Sequence, residues 1–92
     1  MSQQPGRVRP AEHVLSQELE GETVLLNLET ERYFGLDRVG TRFWQLLTEH
    51  GSSETVVTRM LEEFEVEEAA LRADVDRLLE ALTSAGLVIR SE

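Results

Sequence analysis

Apolar and polar positions alternate along the first half of this chain and recur at helical spacing along the second. Residues 22–29 put Val24, Leu26 and Leu28 on one face and Leu25, Asn27 and Glu29 on the other, the period of two expected of a strand. Residues 13–20 carry a weaker version of the pattern, closed by Gly21, and residues 32–37 a third, after Thr30 and Glu31. Separations this short favour antiparallel pairing, so the three segments predict a meander whose last strand has no fourth partner in the sequence. From Asp37 onward the period is helical. Asp37 is a candidate N-cap for a helix carrying Val39, Phe43, Trp44, Leu46 and Leu47, with His50 and Gly51 as its stop. Ser52 or Ser53 caps a second helix through Val56, Val57, Met60, Leu61 and Phe64, ending near Glu65. A third spans residues 67–84 with Leu71, Val75, Leu78, Leu79 and Leu82 as its stripe, and Leu87, Val88 and Ile89 predict a short final strand.

Three strands followed by three helices give an α+β class, a winged helix-turn-helix with an N-terminal three-stranded antiparallel sheet. Trp44, Phe43, Leu47, Leu61 and Phe64 are the expected centre of its core. The first dozen residues, with Gln3, Gln4, Pro5, Gly6 and Pro10, offer almost nothing apolar and predict a loose tail, leaving residues 13–92 as the folded domain. At 92 residues there is room for one core only.

Charge and chemistry narrow the function classes. Eighteen acids against nine bases give a formal net charge of -9, and all nine bases are arginines scattered along the chain. Nucleic-acid binding draws on neutralised phosphates and needs a segregated basic face, which this pattern does not supply. Cysteine is absent, excluding disulfides and thiolate chemistry. No apolar run approaches the roughly 20 residues of a membrane span, and Met1 to Pro10 lacks a signal-peptide stretch, so the expected compartment is the cytoplasm. His13 and His50, the two histidines, lie far apart and are expected to face solvent, without the spacing of a metal site. Asp74 and Asp76 sit about 200° apart on a helix and cannot share a site, whereas Asp76 and Glu80 read as a solvated face. No catalytic set, metal site or cofactor site emerges.

Binding is left as the expected work. The third strand, Arg32 to Leu36, would expose a row of unpaired N–H and C=O groups, flanked by Tyr33, Phe34 and Leu36. Such an edge accepts an extended peptide as an added strand. The third helix would form the other wall of a groove, where Ala69, Ala70, Ala73 and Ala81 either leave hollows or simply favour the helix.

Residues 21–47, Gly-Glu-Thr-Val-Leu-Leu-Asn-Leu-Glu-Thr-Glu-Arg-Tyr-Phe-Gly-Leu-Asp-Arg-Val-Gly-Thr-Arg-Phe-Trp-Gln-Leu-Leu, resemble the PqqD-like family. So do Ala73-Asp74-Val75, Leu78-Leu79 and Ala85-Gly86-Leu87-Val88. Members are the recognition elements of ribosomally made, post-translationally modified peptide pathways. The resemblance implies the same winged fold and a non-catalytic activity, binding the leader region of a precursor peptide beside the third strand. Carried over by position, the backbone of Arg32, Tyr33, Phe34 and Gly35 would pair with the leader, and Ala70, Leu71, Asp74, Val75, Arg77 and Leu78 would face it. Leu71, Val75 and Leu78 read equally well as core. The pyrroloquinoline-quinone branch carries a proline-glutamate step and a cysteine where this chain has Asn27-Leu28-Glu29-Thr30 and Leu46-Leu47-Thr48, so the chain looks closer to the free-standing members of lasso-peptide pathways. That likeness implies a separate cysteine leader peptidase and an ATP-dependent macrolactam synthetase as partners, with no nucleic acid and no membrane. Glu31 stands where relatives often have a turn glycine. Two other readings stay open: an acidic winged-helix transcription regulator, although residues 67–84 carry five acids against Arg72 and Arg77, and an assembly module pairing through its own edge.

Overall fold

The computed structural model describes residues 7–91. Two tight connections fold the alternating segments into the expected meander. Strand β2 (Val14–Leu19) meets β3 (Glu22–Asn27) across a two-residue loop, with Leu19 opposite Glu22. Both loop residues have left-handed backbone, Glu20 at φ 55 and Gly21 at φ 83, as a turn matching the right-handed twist of its strands requires. Strand β3 then meets β4 (Arg32–Leu36), with Asn27 opposite Arg32. Residues 28–31 bridge them, and the Asn27 Oδ1 accepts the Glu29 and Thr30 N–H groups at 2.9 and 3.2 Å. Glu31 takes φ 61, so the turn keeps the conformation a glycine would adopt more easily.

The helices are α1 (Arg38–His50), α2 (Ser53–Glu63) and α3 (Glu68–Ser84). Asp37 caps α1 by accepting the Gly40 N–H at 2.8 Å, and Gly51 ends it at φ 69. Ser52, of the two candidate serines, caps α2 through its hydroxyl. Helix α1 carries Phe43, Trp44, Leu46 and Leu47 into the core, against Leu25 and Leu36 from the sheet, Val56, Val57 and Met60 from α2, and Leu71, Val75, Leu79 and Leu82 from α3. Leu61 and Phe64 are only half-buried at its margin, Phe64 because α2 stops at Glu63 and leaves it in the following link.

The expected tail over residues 1–12 needs correction. Residues 1–6 lie outside the described residues, but Arg7–Pro10 form a strand, β1, paired antiparallel with β5 (Val88–Ser91) in a separate two-stranded sheet. Val8 is 2% exposed and donates its N–H to Gly51 O at 3.0 Å; Ala11 is buried and donates to Leu87 O at 3.0 Å. One valine among polar residues gives no periodicity to read, and the partners that order it lie at the other end of the chain.

Two arginines fasten the helices to each other. Arg42 of α1 grips Glu63 of α2 through two bonds of 2.7 and 2.6 Å. Arg72 of α3 reaches Glu54 of α2 and Glu68 of its own first turn, each at 2.9 Å. Hydrogen bonds from Arg72 and Arg42 hold the Glu54 and Glu63 carboxyls below their ordinary value of 4.5. Such exposed pairs are individually weak. Among the described residues, no helix is long and apolar enough to cross a membrane.

Three outcomes are expected. Val8→Ala should lower stability by roughly 2 kcal/mol in urea unfolding, since it removes buried methyl groups that neighbours cannot replace. Glu31→Gly should raise the thermal midpoint, relieving about 1 kcal/mol of left-handed strain. Both carboxyls bind protons less readily folded than unfolded, so their contribution is present above pH 4.5 and is lost as pH falls through the lowered folded values. A Glu54→Gln, Glu63→Gln double variant should show a shallower loss of thermal stability below pH 4.5 than the parent chain.

Candidate functional site

The larger sheet has strand order β2-β3-β4, which leaves β4 with one side unpaired among the described residues. An open edge alone is not a site, since β2 has one too. What distinguishes the β4 edge is its neighbour. Helix α3 packs on α2 and β5 and lines a cleft together with the end of β4. Its far end is pinned to the sheet by Asn27, whose Nδ2 donates to Ala85 O at 2.9 Å, and by His13, whose Nε2 lies 3.1 Å from Gly86 O. His13 is therefore a half-buried tie between sheet and helix, not the solvent-facing group expected from the sequence. At the near end, Arg72 holds α3 to α2.

Between these walls lies a groove of about 430 Å³. Gly35, Leu36 and Asp37 form the strand side, Val39, Gly40 and Phe43 of α1 and Met60 of α2 the base, and Leu71, Asp74, Val75 and Leu78 the helix side. Its surface is mainly apolar, which is what a site binding side chains by burial requires. Two glycines shape the strand side of the cleft. Nothing stands within 4 Å of where a Cβ on Gly35 would lie. At Gly40 a Cβ would come within 3.2 Å of the Leu36 side chain and 3.3 Å of Asp37 Oδ1, so the missing side chain lets the end of β4 close down on the start of α1.

Of the ten residues singled out from the sequence, Gly35, Leu71, Asp74, Val75 and Leu78 line this groove together. Leu71 and Val75 are also core residues, so the two readings of the α3 stripe coincide: the same side chains join the core and form the helix side of the cleft. Arg32 and Tyr33 lie exposed on the β4 edge, while the Phe34 side chain packs inward, half-buried against the core. Ala70 is exposed and does not line the cleft, nor do Ala69, Ala73 or Ala81. Arg77 stands outside it and reaches its lip through an ion pair with Asp74. Sequence reasoning missed Val39, Gly40, Phe43 and Met60 as lining. One local signal was present, a glycine inside the first turn of a helix, which costs about 1 kcal/mol; the exposure of the neighbouring Val39 and the approach of Phe43 and Met60 are set only by the folded core.

The arrangement offers backbone donors and acceptors along one side and apolar surface along the other. Among the described residues no group of three or more His, Cys, Asp or Glu could hold a metal ion.

Comparison with known proteins gives the site its context. The family model for coenzyme PQQ synthesis protein D (PqqD) matches residues 22–88. Among solved structures, TbiB1 in complex with the TbiA(beta) leader peptide is 34% identical, the match covering 91% of this chain and 98% of that one, at a TM-score of 0.86. Lasso peptide synthetase B1 complexed with the leader peptide is 21% identical over 92% of this chain and 100% of that one, at a TM-score of 0.82, a likeness of fold. No curated protein matches the chain. The matched span takes in β3, β4 and all three helices, hence both walls and the base of the groove, and the chain belongs to the PqqD family.

Proposed function

We propose that this chain is a non-catalytic recognition domain that binds the leader region of a ribosomally made precursor peptide in lasso-peptide biosynthesis. The observation that carries the reading is the unpaired β4 edge bordering an apolar cleft on α3. The leader adds as a strand along Arg32, Tyr33, Phe34 and Gly35, and its inward side chains settle over Leu71, Val75 and Leu78, with Asp74 and Arg77 at the lip. That a relative 34% identical to the chain is described in complex with a leader peptide supports this assignment. The loaded domain, working in the cytoplasm, presents the leader to a separate cysteine peptidase and to an ATP-dependent macrolactam synthetase.

Physical magnitudes are sufficient for the role. About four strand-type hydrogen bonds contribute a net of roughly 0.5–1.5 kcal/mol each, and two buried anchors roughly 1.5–3 kcal/mol each. Ordering a flexible peptide costs at least about 4 kcal/mol, which leaves affinity no tighter than about micromolar. A nucleic-acid role fares poorly on the same accounting of charge. Helix α3 carries Glu68, Asp74, Asp76 and Glu80 against Arg72 and Arg77, the wrong sign to approach phosphate.

Strand addition has a signature that side-chain burial lacks. Isothermal titration should show the leader peptide binding the isolated chain, and N-methylation of successive leader residues should weaken binding about tenfold at alternate positions, with little effect between them. Absence of binding, or a uniform response along the peptide, would remove the basis for this assignment.

A further inference from the structure

Resting on the leader-binding reading, we propose that the groove selects a segment with a lysine or arginine two residues from its apolar anchor, and that Asp74 is the residue that reads this charge, with Arg77 as its displaceable stand-in.

The lining of the groove is apolar apart from two carboxylates, Asp37 and Asp74, and no basic residue contributes to it. The two acids are not equivalent. Asp37 accepts the Gly40 N–H at 2.8 Å as the cap of α1, so its carboxylate is committed to the fold and lies at the positive end of that helix. Asp74 has no backbone duty. Its partner is Arg77, one turn along the same helix, and the two side chains are 65% and 74% exposed. An ion pair that open to water is worth little and is easily exchanged.

Arg77 also has somewhere to go. On the other flank of α3 it lines a second depression with Asp76, Glu80 and Arg90, so two further carboxylates stand within its neighbourhood. A strand laid along β4 would cover Asp74 and strip its water, and a carboxylate losing solvent needs a cation or a strong donor beside it. Residues on an extended segment share a face at every second position, so a cation reaching Asp74 while the anchor occupies the cleft stands two residues away. The chain's net charge of -9 works in the same direction, drawing a basic segment toward the site before contact.

The test uses short synthetic peptides with a single leucine anchor and lysine, glutamine or glutamate at both positions two residues from it, titrated by fluorescence anisotropy. On the parent chain the lysine peptide should bind about tenfold tighter than the glutamine peptide, and the glutamate peptide weakest. Asp74→Asn should reduce the lysine advantage to less than about threefold while leaving the thermal midpoint unchanged. Arg77→Ala should raise lysine-peptide affinity, because a competitor for Asp74 is gone, and an unchanged or lower affinity would overturn the stand-in role of Arg77. Equal affinities for the lysine and glutamine peptides, or a lysine preference that survives in Asp74→Asn, would overturn the charge-reading role while leaving peptide binding intact. Failure of all three peptides to bind would overturn the charge-reading role, while the leader-binding reading is decided separately by the titration of the leader peptide itself.

Discussion

The amide of Asn27 joins the two walls on which the groove depends. Its Nδ2 donates to the carbonyl of Ala85 at the end of α3, and its Oδ1 accepts two N–H groups from the loop that leads into β4. One buried side chain thus fixes the β3–β4 hairpin and the helix end relative to each other. Asn27 is 3% exposed, so an unmet hydrogen bond there would carry the full desolvation penalty of a buried polar group. With that end held and Arg72 tying the other part of α3 to α2, the helix and the end of β4 line one cleft without filling it. The edge is open because no further strand adjoins β4 among the described residues, and the anchoring of α3 sets the cleft beside it.

The outward face of the same sheet shows how the rest of the surface is managed. Leu15, Leu19, Val24, Leu28 and Tyr33 all remain exposed, a considerable apolar area for so small a domain. Acids stand at both ends of the sheet, Glu20 and Glu22 at one turn and Glu29 and Glu31 at the other. A second copy stacked on this face would bring those carboxylates together, and like charges in apposition oppose such pairing.

Local signals were legible in the sequence, and long-range ones were not. Asp37, Ser52 and Gly51 marked helix boundaries because capping is an affair of three or four neighbouring residues. The meander was legible from alternation and short turns, and the family pattern pointed to β4 and α3. The alternation did not say which face is buried. Val24, Leu26 and Leu28 make the more apolar set, yet Thr23, Leu25 and Asn27 face the core, because Asn27 finds its partners there. Strand β1 was hidden because Val8 has no apolar neighbours in sequence and its ladder partner is Arg90, at the far end of the chain. The base of the groove was hidden for a similar reason. Val39, Phe43 and Met60 come from two helices and converge only once the core has formed.

Arg7 stands opposite Ser91 in the small sheet, so the first and last described strands leave the body at one corner. No residue of either strand lines the groove. A body whose two ends emerge together behaves as a plug-in module: it can be spliced into a host polypeptide through a single junction, or have its ends joined and be reopened at the link after α2, with the recognition surface kept intact.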